Sequence, residues 1–125
     1  MSHLLLVMLG GAIGSGARHL TGRAALALWG PDFPWGTLIV NLLGGFAMGA
    51  LVSWLAARSG GNEAMRYLLG VGVLGGFTTF SAFSLDAAQL LQRGDHGVAL
   101  AYILASVVGS IVALFAGLQL SRAFA

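Results

Sequence analysis

Few side chains in this 125-residue sequence are able to bind anything within its apolar stretches, and most of those are neutral hydrogen-bond donors. Tyr102, Ser106 and Ser110 stand four apart, a spacing that stacks three hydroxyls along one helix face over roughly 12 Å at 1.5 Å per residue. Such a ladder either bonds to neighbouring helices or lines a wet track. Asn41 is a lone amide in an apolar run, and leaving it unpaired in hydrocarbon costs on the order of 2–7 kcal/mol. It acts as interhelical glue or as a donor pointed at an anion. Phe80 and Phe83, three apart on one face, pack in a core or turn positive ring edges toward a desolvated anion. Arg18 interrupts another apolar run, where it snorkels to the interface or draws anions toward a vestibule.

The remaining polar groups exclude more than they suggest. Asp86 lies roughly 7 Å along a helix from the end of its apolar stretch, which fits an interfacial or capping carboxylate better than a proton relay. Ser84, Gln89 and Gln92 follow near the same end as solvated or packing groups. His3, His19 and His96 fall at chain ends or turns without a second ligand at metal spacing. There is no cysteine, hence no thiolate nucleophile or disulfide. No serine, histidine and carboxylate group together, and no Gly-rich loop opens a helix as a phosphate site, so no enzyme is expected. Basic residues form no cluster, which sets nucleic acid aside. With no carboxylate at mid-depth, the neutral donors favour an anion over an organic cation.

These groups need elements to position them, and composition says which. Apolar residues make up 58% and charged residues 8%, against about 25% charged in a soluble domain. Ten charges cannot cover a soluble surface, so the lipid bilayer is the expected solvent. Runs near the roughly 20 residues that cross a hydrocarbon core place one four-span domain at about 4–28, 36–57, 67–91 and 98–120. Trp29, Pro31, Asp32, Phe33, Pro34 and Trp35 make an interfacial first turn. Arg58 to Arg66, with Gly60, Gly61 and Asn62, and Arg93 to His96 make two tight polar ones. Glycine supplies 20 residues. Gly10 and Gly14, Gly45 and Gly49, and Gly72 and Gly76 are each four apart, so helix backbones approach closely. Packing suffices for the first two pairs, whereas the third leads into Gly75–Phe83, GGFTTFSAF, where glycines and hydroxyls interrupt an apolar span. A break there would turn freed carbonyls inward; the alternative is one bent helix whose hydroxyls bond back to their own turn. Arg58, Arg66 and Arg122 fall on the side of both termini, and Arg18, Arg23 and Arg93 on the other. This tie permits insertion both ways and an antiparallel homodimer.

The chain resembles the Fluc, or CrcB, family of fluoride channels over nearly its whole length. The resemblance rests on Gly10, Gly11, Gly14 and Arg18, on Gly36, Thr37, Leu38, Val40, Asn41 and Gly44, and above all on GGFTTFSAF. It implies an all-α integral membrane protein, with four transmembrane helices and a break in the third, as an antiparallel dual-topology homodimer. The cell inner membrane is the implied location. It also implies two pores that pass fluoride out of the cytoplasm passively and electrogenically, conferring fluoride resistance. Phe80 and Phe83 would line each pore, Asn41 would supply an amide, and Tyr102, Ser106 and Ser110 would form the hydroxyl track. Arg18 would stand in the vestibule, and backbone carbonyls of Gly75 and Thr78 would hold a structural sodium ion on the dimer axis. Ala82 stands where many relatives carry threonine, and His19 where an aromatic is common. Graded neutral donors suit a small, strongly hydrated anion. Two alternatives are a proton-coupled small multidrug-type exporter, which wants a first-span carboxylate this chain lacks, and a non-transporting membrane assembly protein.

Overall fold

A computed structural model, which describes residues 2–58 and 62–124, is all-helical over that range apart from short connections. Helix α1 runs Ser2–Trp29 and α2 Trp35–Ala56. The third span opens with a stretch at 63–77, called α3, in which Glu63–Met65 and Gly75–Phe77 are α-helical and Arg66–Leu74 is wound as a π-helix. Helix α4 is Ser81–Gln92 and α5 is His96–Phe124. Four spans, with α3 and α4 sharing the third, are long and apolar enough to cross a membrane, and the chain is a multi-pass membrane protein.

The turns have local causes. α1 stops where Gly30 takes φ +78° and Pro31 and Pro34 follow, a backbone state that glycine reaches without steric cost. α4 stops likewise at Gly94, φ +87°, and the Asp95 N–H closes that end on the Leu90 carbonyl at 3.0 Å. Asn62 caps α3 by accepting from the Met65 N–H at 3.2 Å. Gly60 and Gly61, assigned to the second polar turn, lie outside the described residues.

Two glycine seams hold the spans together. Along α1 and α3, a Cβ added at Gly14 would strike the Val73 carbonyl and one at Gly72 would come within 2.9 Å of the Gly10 Cα. A Cβ at Gly76 would meet the Gly11 carbonyl at 2.7 Å. The third glycine pair, expected to differ from the others, is thus also a packing seam. Along α2 and α5, a Cβ at Gly45 would meet the Ser110 carbonyl at 2.8 Å, and additions at Gly49 and Gly117 would strike Leu114 and Phe46 carbonyls. Between these pairs, a Cβ at Gly36 of α2 would come within 2.8 Å of the Gly22 Cα of α1, and α4 sets Phe83, Ala87 and Leu90 against Leu38, Ala99 and Tyr102 in a buried cluster.

Candidate functional site

The site is built around the residues between α3 and α4. The backbone leaves helical geometry at Thr78, which has φ −82° and ψ 159°, and becomes helical again at Ser81. A helix end buried in a bilayer must have its orphan backbone groups satisfied, and here other elements supply partners. Asn41 of α2 pairs with Thr79 twice: its Nδ2 donates to the Thr79 carbonyl at 3.1 Å and its Oδ1 accepts the Thr79 N–H at 2.9 Å. Arg18 of α1 donates through Nε to the Gly76 carbonyl at 3.2 Å. Thr79 Oγ1 accepts from the Ala82 N–H at 3.2 Å and so caps α4. Thr78 and Ser84 hydroxyls bond back to the Leu74 and Phe80 carbonyls, each at 3.0 Å. Gly44 admits the Thr78 methyl, which an added Cβ there would strike.

This turn divides two recesses, with Thr79 lining both. One is a groove of ≈ 580 Å³ whose wall includes Asn41, Gly75, Thr78, Phe80, Phe83, Ser106 and Ser110. The other, of ≈ 410 Å³, is lined by Ser15, Arg18, His19, Arg23 and Thr37, with Ala82 on its wall. Its charged lining is basic. The first is an open, mostly apolar groove in which Met48, Val107, Ile111 and Leu114 flank the amide, the hydroxyls and the two rings.

Phe80 and Phe83 are together in the groove and differ in exposure. Phe80 precedes α4 and is 76% exposed, Phe83 lies within α4 and is 8% exposed, and their rings sit 5.5 Å apart. Phe80 stands at the helical start of α4, where its carbonyl accepts the Ser84 N–H at 2.9 Å. Ser106 and Ser110 both line the groove, and among the described residues the buried Ser106 Oγ, beside the Tyr102 hydroxyl, makes no hydrogen bond of good geometry. Tyr102 is one step removed. Its fully buried ring packs 5.3 Å from that of Phe83 and edge-on to Phe33 at 5.5 Å, while its hydroxyl donates to Asp86 Oδ2 at 3.2 Å. Asp86 therefore has a side-chain partner across the helix pair, which its depth alone did not reveal.

One participant, Thr79, has no role expected from the sequence, and another, Arg18, makes a contact beyond its expected one. Thr79 supplies its N–H, its carbonyl and its hydroxyl to the turn; the signal was the threonine pair in GGFTTFSAF, of which only Thr78 was singled out. Arg18 was read as a snorkelling or vestibule charge, and its bond to a carbonyl 58 positions away leaves no trace in spacing. The histidines bring no metal ligands together: among the described residues no cluster of three candidate ligands occurs. His3 instead stacks on Tyr67 at 4.3 Å and approaches Glu63 at 3.7 Å.

Comparison with known proteins adds to this geometry. The family model described as CrcB-like protein, Camphor Resistance (CrcB), matches residues 5–118. A protein of Chelativorans sp. (strain BNC1) named fluoride-specific ion channel FluC is 62% identical over 122 residues, covering 98% of each chain. A protein of that name from Mesorhizobium japonicum is 56% identical over 122 residues, again 98% of each chain. One from Caulobacter vibrioides (strain NA1000 / CB15N) is 54% identical over 123 residues, covering 98% of this chain and 97% of the relative.

Proposed function

The chain belongs to the CrcB family, and from that premise we propose that it is a passive, electrogenic, fluoride-selective channel of the cell inner membrane, not an enzyme. The observation that carries this reading is the groove itself. A buried serine hydroxyl without a hydrogen bond of good geometry, a second hydroxyl, an amide and two phenyl rings converge there, with no charged side chain on its wall. A small hydrated anion requires its water replaced by several donors, and conduction requires that none holds it too tightly. Ser106 and Ser110 offer hydroxyls. The second N–H of Asn41 is free after its bond to Thr79, and Phe80 and Phe83 offer ring edges. Tyr102 continues the track toward Asp86. Arg18 and its basic recess raise the local anion concentration at the mouth.

A single chain leaves the groove open and Phe80 exposed. The active form is an antiparallel homodimer, two copies closing two pores, which suits three arginines toward each face. The Gly75 and Thr78 carbonyls of both copies would hold a structural sodium ion between them. The residues fit it: the carbonyls of Leu74, Gly76, Thr79 and Phe80 accept bonds from named donors, while among the described residues those of Gly75, Phe77 and Thr78 receive none, which leaves Gly75 and Thr78 open to a cation. Bound there, the ion would neutralise inward carbonyl dipoles. Hydrogen fluoride crosses membranes and dissociates in a more neutral cytoplasm, and the channel releases the trapped anion.

The test is fluoride efflux from liposomes holding the purified protein, with and without a potassium ionophore and with chloride as control. Ionophore-dependent loss of fluoride without chloride is expected. No fluoride loss from a folded dimer would overturn the reading.

A further inference from the structure

We propose that Arg18 is a positioning residue, the cap on the carbonyl end of α3, and that through this bond it sets the turn at 78–80. Its role at the mouth as a charge is secondary to that. The C-terminal carbonyls of a helix are unsatisfied and lie at the negative end of its dipole. In α3 this end is partly buried against α1 and α2. Thr78 closes the Leu74 carbonyl from within α3, and the Gly76 carbonyl receives the Nε–H of Arg18, half-buried on α1. Three residues on, Asn41 of α2 holds both backbone groups of Thr79. The turn is therefore pinned from one side by α1 and from the other by α2, and among the described residues the carbonyls of Gly75, Phe77 and Thr78 are left without a donor. Guanidinium geometry matters here. Nε–H lies in a rigid planar fork and points in one direction, whereas a lysine ammonium of equal charge is a rotatable point on a flexible stem. A residue acting only as a charge at the mouth tolerates lysine, and a cap does not.

The flux arm of the test rests on the channel reading, and the two exchange arms do not. In the wild-type protein the Arg18 Nε–H should exchange with solvent far more slowly than that of Arg23, an exposed arginine lining the same recess. Equal rates would overturn the proposal without any variant being needed. In folded Arg18→Lys and Arg18→Gln, the backbone amides of Thr79 to Ala82 should exchange on the order of tenfold faster, matching loss of a charge-assisted bond, while those of α2 are unchanged. Protection kept in Arg18→Lys would sink the idea. Fluoride flux should fall by a similar factor in both variants at low and at high fluoride. Wild-type flux in Arg18→Lys, or flux restored by high fluoride in Arg18→Gln, would assign Arg18 to anion attraction alone. Should the wild type carry no fluoride, the channel reading fails and the exchange rates still decide the cap.

Discussion

At the scale of single residues, the groove holds two kinds of polar group, and they respond differently to removal. Among the described residues Ser106 Oγ is buried without a hydrogen bond of good geometry, a condition that costs about 1–3 kcal/mol. Ser106→Ala should therefore leave thermal stability unchanged or raised while lowering fluoride flux, which melting curves and liposome efflux measure on one preparation. Asn41 is the opposite case. Its two bonds to Thr79 mean that Asn41→Ala strands a partly buried N–H and carbonyl, so a loss of about 1–3 kcal/mol and of flux together is expected. Asn41→Asp keeps an acceptor for the Thr79 N–H but loses the donor and places a negative charge beside the path. It should retain more stability than the alanine variant and conduct less.

At the scale of elements, the seams explain where glycine is needed. A Cβ at Gly49 falls on the Leu114 carbonyl, whereas one at Gly16 meets nothing within 4 Å. Gly49→Ala should cost about 1–3 kcal/mol or more by forcing α2 and α5 apart, and Gly16→Ala should gain up to about 1 kcal/mol from helix propensity. Chemical unfolding in detergent separates the two. The spans and the seams were legible in the sequence because apolar length and a spacing of four are properties of one helix at a time. The π-winding of Arg66–Leu74 was not. There the Gly75 N–H reaches back to the Gly70 carbonyl, a choice that depends on the α1 backbone lying against Leu68, Gly72 and Val73. Likewise the donors of the site were nameable one by one, but the pairings of Arg18 with Gly76, Asn41 with Thr79 and Tyr102 with Asp86 join separate helices. Periodicity carries no record of such contacts.

At the scale of the whole molecule, most large apolar side chains of one chain lie exposed, from Leu4 and Leu5 on α1 to Ile111, Val112 and Phe115 on α5. Lipid or a second copy must cover them. If the arginine tie governs insertion, tags at the C-terminus should be found on both sides of the membrane in similar amounts. Adding charge through Ala57→Lys and Ala123→Arg, both exposed on the face of the termini, should bias the chain to one orientation. Fluoride release should then fail for the variant alone and return on co-expression with a chain biased the other way. Unchanged release by the biased variant alone would count against the antiparallel pair.

The two seams also give the protein a mechanical character. Where backbone lies on backbone there are no side chains to bend, so α1 with α3, and α2 with α5, behave as two stiff planks. The planks meet through smaller contacts and through the stitches at Gly76 and Thr79. A bilayer that thins or thickens strains a spanning protein, and stiff parts do not absorb that strain. The load passes to the joint between the planks, which is the turn at 78–80. Changing acyl-chain length should therefore alter flux before it alters stability, because the joint also borders the groove proposed as the ion path.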